Sequence, residues 1–310
     1  MASHDEREET PGTTRAKEHR GQMGEAMTEG APAGLGELPE IVIRPSRGWR
    51  WLDVRELWHY RELIYFLTWR DIKVRYKQTA IGVAWAVLQP LAMMAVFTLF
   101  FGRMAQIPSE GVPYPVFVLA GLVPWQLFSR ALTESSGSLV TDQRLITRVY
   151  FPRLIVPLST VLAAIVDLLI ALGLLLILMP VFGVWPDGRI VALPVFILLL
   201  VVTALGAGFW LSALNVEYRD VRYVVPFLTQ FWLFVTPVIY PTSQVPAGWQ
   251  FVYALNPMVS AVDGFRWCLL GVGEGPSAVM AISAAVVLLL FLTGIAWFRR
   301  LERTFVDTMG

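Results

Sequence analysis

The chain has 310 residues, 55% of them hydrophobic and 16% charged, with a formal net charge of +1. Soluble domains carry about 25% charged residues, so this balance excludes an ordinary soluble globule, and it leaves no strong electrostatic footprint for nucleic acid. The one cysteine, Cys268, excludes an internal disulfide; His4, His19 and His59 lie outside the apolar runs, without HExxH or CxxC spacing, so no metal site is expected.

In chain order, residues 1–45 are rich in Glu, Gly, Thr, Ala and Pro and lack apolar periodicity, which predicts a disordered tail. Residues 46–79 predict an amphipathic helix at the membrane surface. Asp53 and Glu56 read as a capping pair, and Val54, Leu57, Tyr60, Ile64 and Leu67 follow at helical spacing. Arg55, His59, Glu62, Arg70, Lys73 and Lys77 fall on another face. The alternative, a helix packed in a soluble domain, lacks any soluble core to join.

Residues 80–303 then hold six apolar runs: Ile81–Gly102, Tyr114–Leu132, Leu154–Met179, Ile190–Leu214, Tyr223–Tyr240 and Ala278–Phe298. Each is near the roughly 20 apolar residues that cross a bilayer, and backbone in lipid must be helical or closed into a barrel. The expected fold is therefore an all-α membrane protein of six transmembrane helices, preceded by the interface helix. Pro90, Pro124, Pro157, Pro194, Pro226 and Pro237 mark kinks or ends. No run stands at the start of the chain, so none reads as a signal peptide. Fourteen basic residues flank the runs on one side and three, Arg103, Arg189 and Arg266, on the other. The positive-inside rule then places both termini in the cytoplasm of a bacterial inner-membrane protein.

Between the fifth and sixth runs, residues 241–275 are too apolar for a solvated loop and too broken for a span. Two half-helices dipping from the outer face and divided near Asn256-Pro257 fit this pattern, with Asp263 and Arg266 spaced to pair. A simple interfacial helix cap is the alternative.

A P-loop requires Lys after Gly. The lysines, Lys17, Lys73 and Lys77, follow Ala, Ile and Tyr, so the chain cannot bind ATP by that motif. An ion-coupled carrier needs ionisable groups at membrane depth, and Asp167 alone clearly qualifies; it reads equally as a partner for Ser159, Thr160 or a polar group on another helix.

Four ordered stretches carry a resemblance: WRDIKVRYKQTAIGVAWAVLQPL (Trp69 to Leu91), VYFPRLIVPLS (Val149 to Ser159), LNVEYRDVRYVVPF (ending at Phe227) and ALNPM (Ala254 to Met258). Together they resemble the ABC-2-type permeases of polysaccharide exporters, the transmembrane subunits for O-antigen and teichoic acid, over residues 50 to 300. The resemblance implies a homodimer of six-span subunits docked on two ATP-binding subunits. ATP and Mg would be bound by those partners, with no cofactor in this chain, and the substrate would be a lipid-linked glycan passed outward.

It also implies roles. A helix through Leu145 to about Tyr150, capped by Thr141 or Asp142, looks like the coupling helix within 141–153. Leu145, Ile146, Val149 and Phe151 would offer apolar contact, and Arg144, Arg148 and Arg153 charge, around the exposed-looking Tyr150. An interfacial anchor is the plainer reading of the same residues. Glu217, Arg219 and Asp220 form a second candidate contact or a local ion-pair turn. Tyr223, Phe227, Phe231 and Phe234 share one helical face. With Trp232 beside them, and with Trp85, Gln89 and Phe100 in the first span, they are the expected channel lining. Asn256, Pro257, Asp263 and Arg266 are the expected outer gate. The alternatives are a permease for a small lipid or drug, or a membrane-embedded transferase using Glu217 and Asp220.

Overall fold

The structure is a computed structural model that describes residues 54–77, 83–273 and 275–302; the expectations for the tail and for the Asp53 cap lie outside those residues. Among the described residues there is no strand. The helices are α1 (Val54–His59), α2 (Arg61–Lys77), α3 (Val83–Phe97), α4 (Tyr114–Thr141), α5 (Gln143–Arg148), α6 (Ile155–Val181), α7 (Leu193–Glu217), α8 (Val221–Val235), α9 (Gln250–Ala254), α10 (Pro257–Leu270) and α11 (Ala278–Glu302). A π-helical turn, Thr98–Met104, continues α3.

Five segments are long and apolar enough to cross a membrane: Ala84–Met104, Tyr114–Thr141, Ile155–Val181, Gly188–Glu217 and Ala278–Glu302. The fifth run differs. It was expected to reach Tyr240, but α8 stops at Val235 after 15 residues, about 22 Å of helix. Pro237 is the cause, because the residue before proline is driven out of the helical region. Thr236 sits at φ −96°, ψ 145°. The other prolines divide as their chemistry dictates. Pro157 and Pro194 occupy first turns, where an N–H would have no partner, while Pro90, Pro124 and Pro226 lie inside helices.

The central element is α4, which touches α3, α6, α7, α8 and α10. Lipid supplies no hydrophobic drive between spans, so close approach through small residues matters. At the α7–α11 crossing, a Cβ on Gly294 would lie 2.5 Å from the Gly206 carbonyl oxygen, so only glycine fits. Trp210 and Trp297 stack across the same crossing at 4.8 Å, and the Trp210 indole donates to Thr293 Oγ1.

A second apolar core gathers at one end of the bundle, where Leu67 of α2 meets Ile146, Phe151, Leu154, Phe209, Ile295 and Phe298. Thus α2 packs against α6 rather than lying only along a surface. Its other side exposes Tyr65, Phe66 and Trp69. Tyr65 and Trp69 stack, and the Lys73 ammonium sits over Trp69. Amphipathic rings with a snorkelling cation suit the headgroup layer.

Candidate functional site

The knob between α4 and α6 is shorter than the sequence suggests. α5 ends at Arg148, and Val149 turns extended. Neither expected cap acts as one. Thr141 Oγ1 donates back to the Gly137 carbonyl, and the Asp142 carboxylate receives two bonds from Arg70, at 2.9 and 2.7 Å. The apolar contacts also divide. Ile146 and Phe151 point into the second core, while Leu145 is half-buried. Arg144, Arg148, Val149 and Tyr150 face outward, Tyr150 being 76% exposed. Arg153 is not a free surface charge. Its guanidinium donates to the Glu302 carbonyl at 2.6 Å, and its backbone N–H donates to the Glu302 carboxylate, so it ties the knob to the end of α11. The turn at Glu217, Arg219 and Asp220 is exposed, and no ion pair joins these three among the described residues.

On α8 the aromatic column is real. Tyr223, Phe227, Phe231 and Phe234 are 57–66% exposed, and Phe227 and Phe231 lie 4.7 Å apart. The opposite face, Val225, Thr229 and Leu233, is buried. Trp232 was grouped with the column but sits inward. One residue after Phe231 rotates about 100° around the helix, and its indole needs a partner. It packs edge-on against Phe128 and donates to Asn256 Oδ1 at 3.0 Å. Trp85 and Phe100 are exposed on α3 and its π-turn. Their span is the least buried of the five, at 11% against 78% for α4.

Gln89 instead turns to a cavity of about 410 Å³ walled by α3, α4, α6 and α8. One wall of this cavity is a charged network that the sequence reading did not assemble. Asp167 of α6 is bonded by Arg130 of α4 at 2.8 Å, and by Arg75 and Tyr76 of α2. Arg75 also bonds Glu134 of α4, and Arg130 reaches Gln89 Oε1. Asp167 is twelve residues into α6, about 18 Å along it, so the last turn of α2 climbs beside the bundle to this depth. Two cations face two carboxylates, which is how charge is tolerated among spans. Burial, and then the Asp167 carboxylate, push the Tyr76 phenol up to about 12, so it remains a hydrogen-bond donor.

At the opposite end, Asn256 and Pro257 divide α9 from α10 as expected. The Asn256 side chain caps α10 by accepting from the Met258 N–H, and it also donates to the Val235 carbonyl and to Thr236 Oγ1. Asp263 and Arg266, spaced to pair, take other partners. Asp263 accepts from Thr242 Oγ1 at 2.6 Å. Arg266, 3% exposed, lies over the Phe117 ring and donates to the carbonyls of Val238, Tyr240 and Phe117. The extended stretch after α8 has no helix to satisfy its carbonyls, and Arg266 does so. Gly121 makes room, since a Cβ there would stand 2.8 Å from the guanidinium.

Residues 62–270, from α2 through α10, match the ABC-2 type transporter family. The chain belongs to the ABC-2 type transporter family. Among its relatives is the O-antigen export system permease protein RfbA of Myxococcus xanthus, 33% identical over 243 residues, covering 77% of this chain and 92% of the relative. A Klebsiella pneumoniae protein of the same name is 26% identical, covering 80% of this chain and 95% of its own length. The polysialic acid transport protein KpsM of Escherichia coli is 25% identical, covering 77% and 93%. The ABC-2 match contains the knob, the charged network, the aromatic column and the capped half-helix. One signal could have exposed the network in advance. A carboxylate in mid-span demands a cation, and Arg130 and Arg75 were read only as topological charges.

Proposed function

We propose that this chain is the membrane subunit of an ATP-driven exporter that passes a lipid-linked polysaccharide outward across the bacterial inner membrane. The observation that carries this reading is the near full-length likeness to permeases named for export of two different polysaccharides. Two chains would face each other across a pore, each joined to a separate ATP-binding subunit. The exposed faces of α3 and α8 supply that reading with a surface. Aromatic rings on α8 form a column about 16 Å long, sized for several sugar units, and each ring offers weak contact that permits sliding. The knob, with Arg144, Arg148 and Tyr150 outward and Ile146 and Phe151 anchored, is a rigid element for an ATPase groove. The turn at Glu217, Arg219 and Asp220 is a second contact. Asn256, Pro257, Asp263 and Arg266 hold the outer half-helix in place and would act as a gate by releasing it.

The test is paired truncation of the column, Phe227→Ala with Phe231→Ala, with surface glycan and yield of the permease–ATPase complex measured in the same cells. Reduced glycan at normal complex yield supports the reading. Normal glycan at normal yield removes the column from the pathway.

A further inference from the structure

The cavity beside the charged network contains a polar atom without a partner. Gln126 of α4 lines it, and its amide nitrogen is buried from solvent with no hydrogen-bond partner. Leaving such a donor unpaired costs about 1–3 kcal/mol, so a buried orphan in a cavity points to something that fills it. Two more glutamines share the lining, Gln89 from α3 and Gln230 from α8. The volume, about 410 Å³, lies within the roughly 300–1,000 Å³ of small-molecule sites.

The chemistry of the wall selects the occupant. Arg130 is paired with Asp167, and Glu134 with Arg75, so no cation is left for a phosphate or uronate. What remains are primary amides, each offering donors and an acceptor. That pattern matches neighbouring hydroxyls, which also donate and accept. The buried indole of Trp125 adds an apolar wall. We infer that this cavity is a subsite for one neutral, polyhydroxylated sugar unit of the passing glycan, held by the amides of Gln126 and Gln230. The inference rests on the export reading and deepens it: selection of sugar units takes place within each protomer, off the aromatic column. Sugars carrying an acidic group would be disfavoured, because the network offers them no unpaired cation.

The test uses the full exporter in its own cells, with Gln126→Leu and Gln230→Leu made singly and together. Leucine is close in size and removes the amide. Surface glycan is expected to fall about fivefold, the value of roughly one hydrogen bond, at unchanged complex yield. The purified Gln126→Leu exporter should unfold at the same temperature as wild type or higher, because its orphan donor is gone. A structural role for the amide would move stability down together with export, and that result overturns the subsite. Unchanged glycan in the double variant also overturns it, leaving a water-filled void. If Gln126→Leu fails to assemble, Gln230→Leu, at an exposed position on α8, decides by the same readouts. Loss of the whole chain without loss of surface glycan would defeat the export reading itself, a result distinct from indifferent glutamine variants in an exporter that works.

Discussion

Arg266 shows how one side chain fixes a segment that has no secondary structure of its own. Its guanidinium takes carbonyls from Val238, Tyr240 and Phe117, and its plane lies 3.7 Å from the Phe117 ring centre. Arg266→Ala should leave these acceptors unsatisfied and a hole beside Gly121, a loss of about 3 kcal/mol or more. The measurement is the thermal unfolding midpoint of the purified protein in detergent. A midpoint within a degree of wild type would mean that the stretch after α8 holds itself. The sequence marked Arg266 as special but gave it the wrong partner. Three-residue spacing proposed Asp263 as its mate, whereas the need of irregular backbone for donors decided the outcome. Asp167 was likewise visible as a lone mid-span carboxylate. Its partners, Arg75 and Arg130, lie far from it in sequence and on two other elements, so no local pattern could link them.

At the scale of elements, hydropathy placed the spans well because apolar length is a local property. It failed at α8, where Pro237 ended the helix early, and at α2, whose last turn rises along α6. Arg70 grips Asp142 at the base of the knob, and Arg75 grips Asp167 and Glu134 higher up, so α2 is fastened to two levels of the bundle. The knob itself has an inner and an outer set of residues, and charge reversal should separate them. Arg148→Glu changes an exposed charge on the last turn of α5. It should lower ATPase-coupled export while leaving the unfolding temperature within about 2 °C, as surface substitutions do. Arg153→Glu places a carboxylate against the Glu302 end of α11 and should lower stability as well. Equal stability losses in both variants would contradict the division. The boundary between inner and outer residues was not readable from the sequence, since Ile146, Val149 and Phe151 are all apolar and only packing distinguishes them.

At the scale of the molecule, two features call for partners. The exposed aromatic column of α8 and the sparsely covered α3 offer a face for a second copy, and the lysines stand nowhere that a P-loop could use them. A subunit that works this way is inert without its ATPase and indispensable with it. The most direct measurement is depletion of the chain in its own cells, with glycan quantified separately at the surface and on the inner face of the membrane. The account predicts that surface polysaccharide disappears while lipid-linked glycan accumulates inside, and that restoring the chain reverses both. Undiminished surface polysaccharide, with no glycan building up inside, would contradict it.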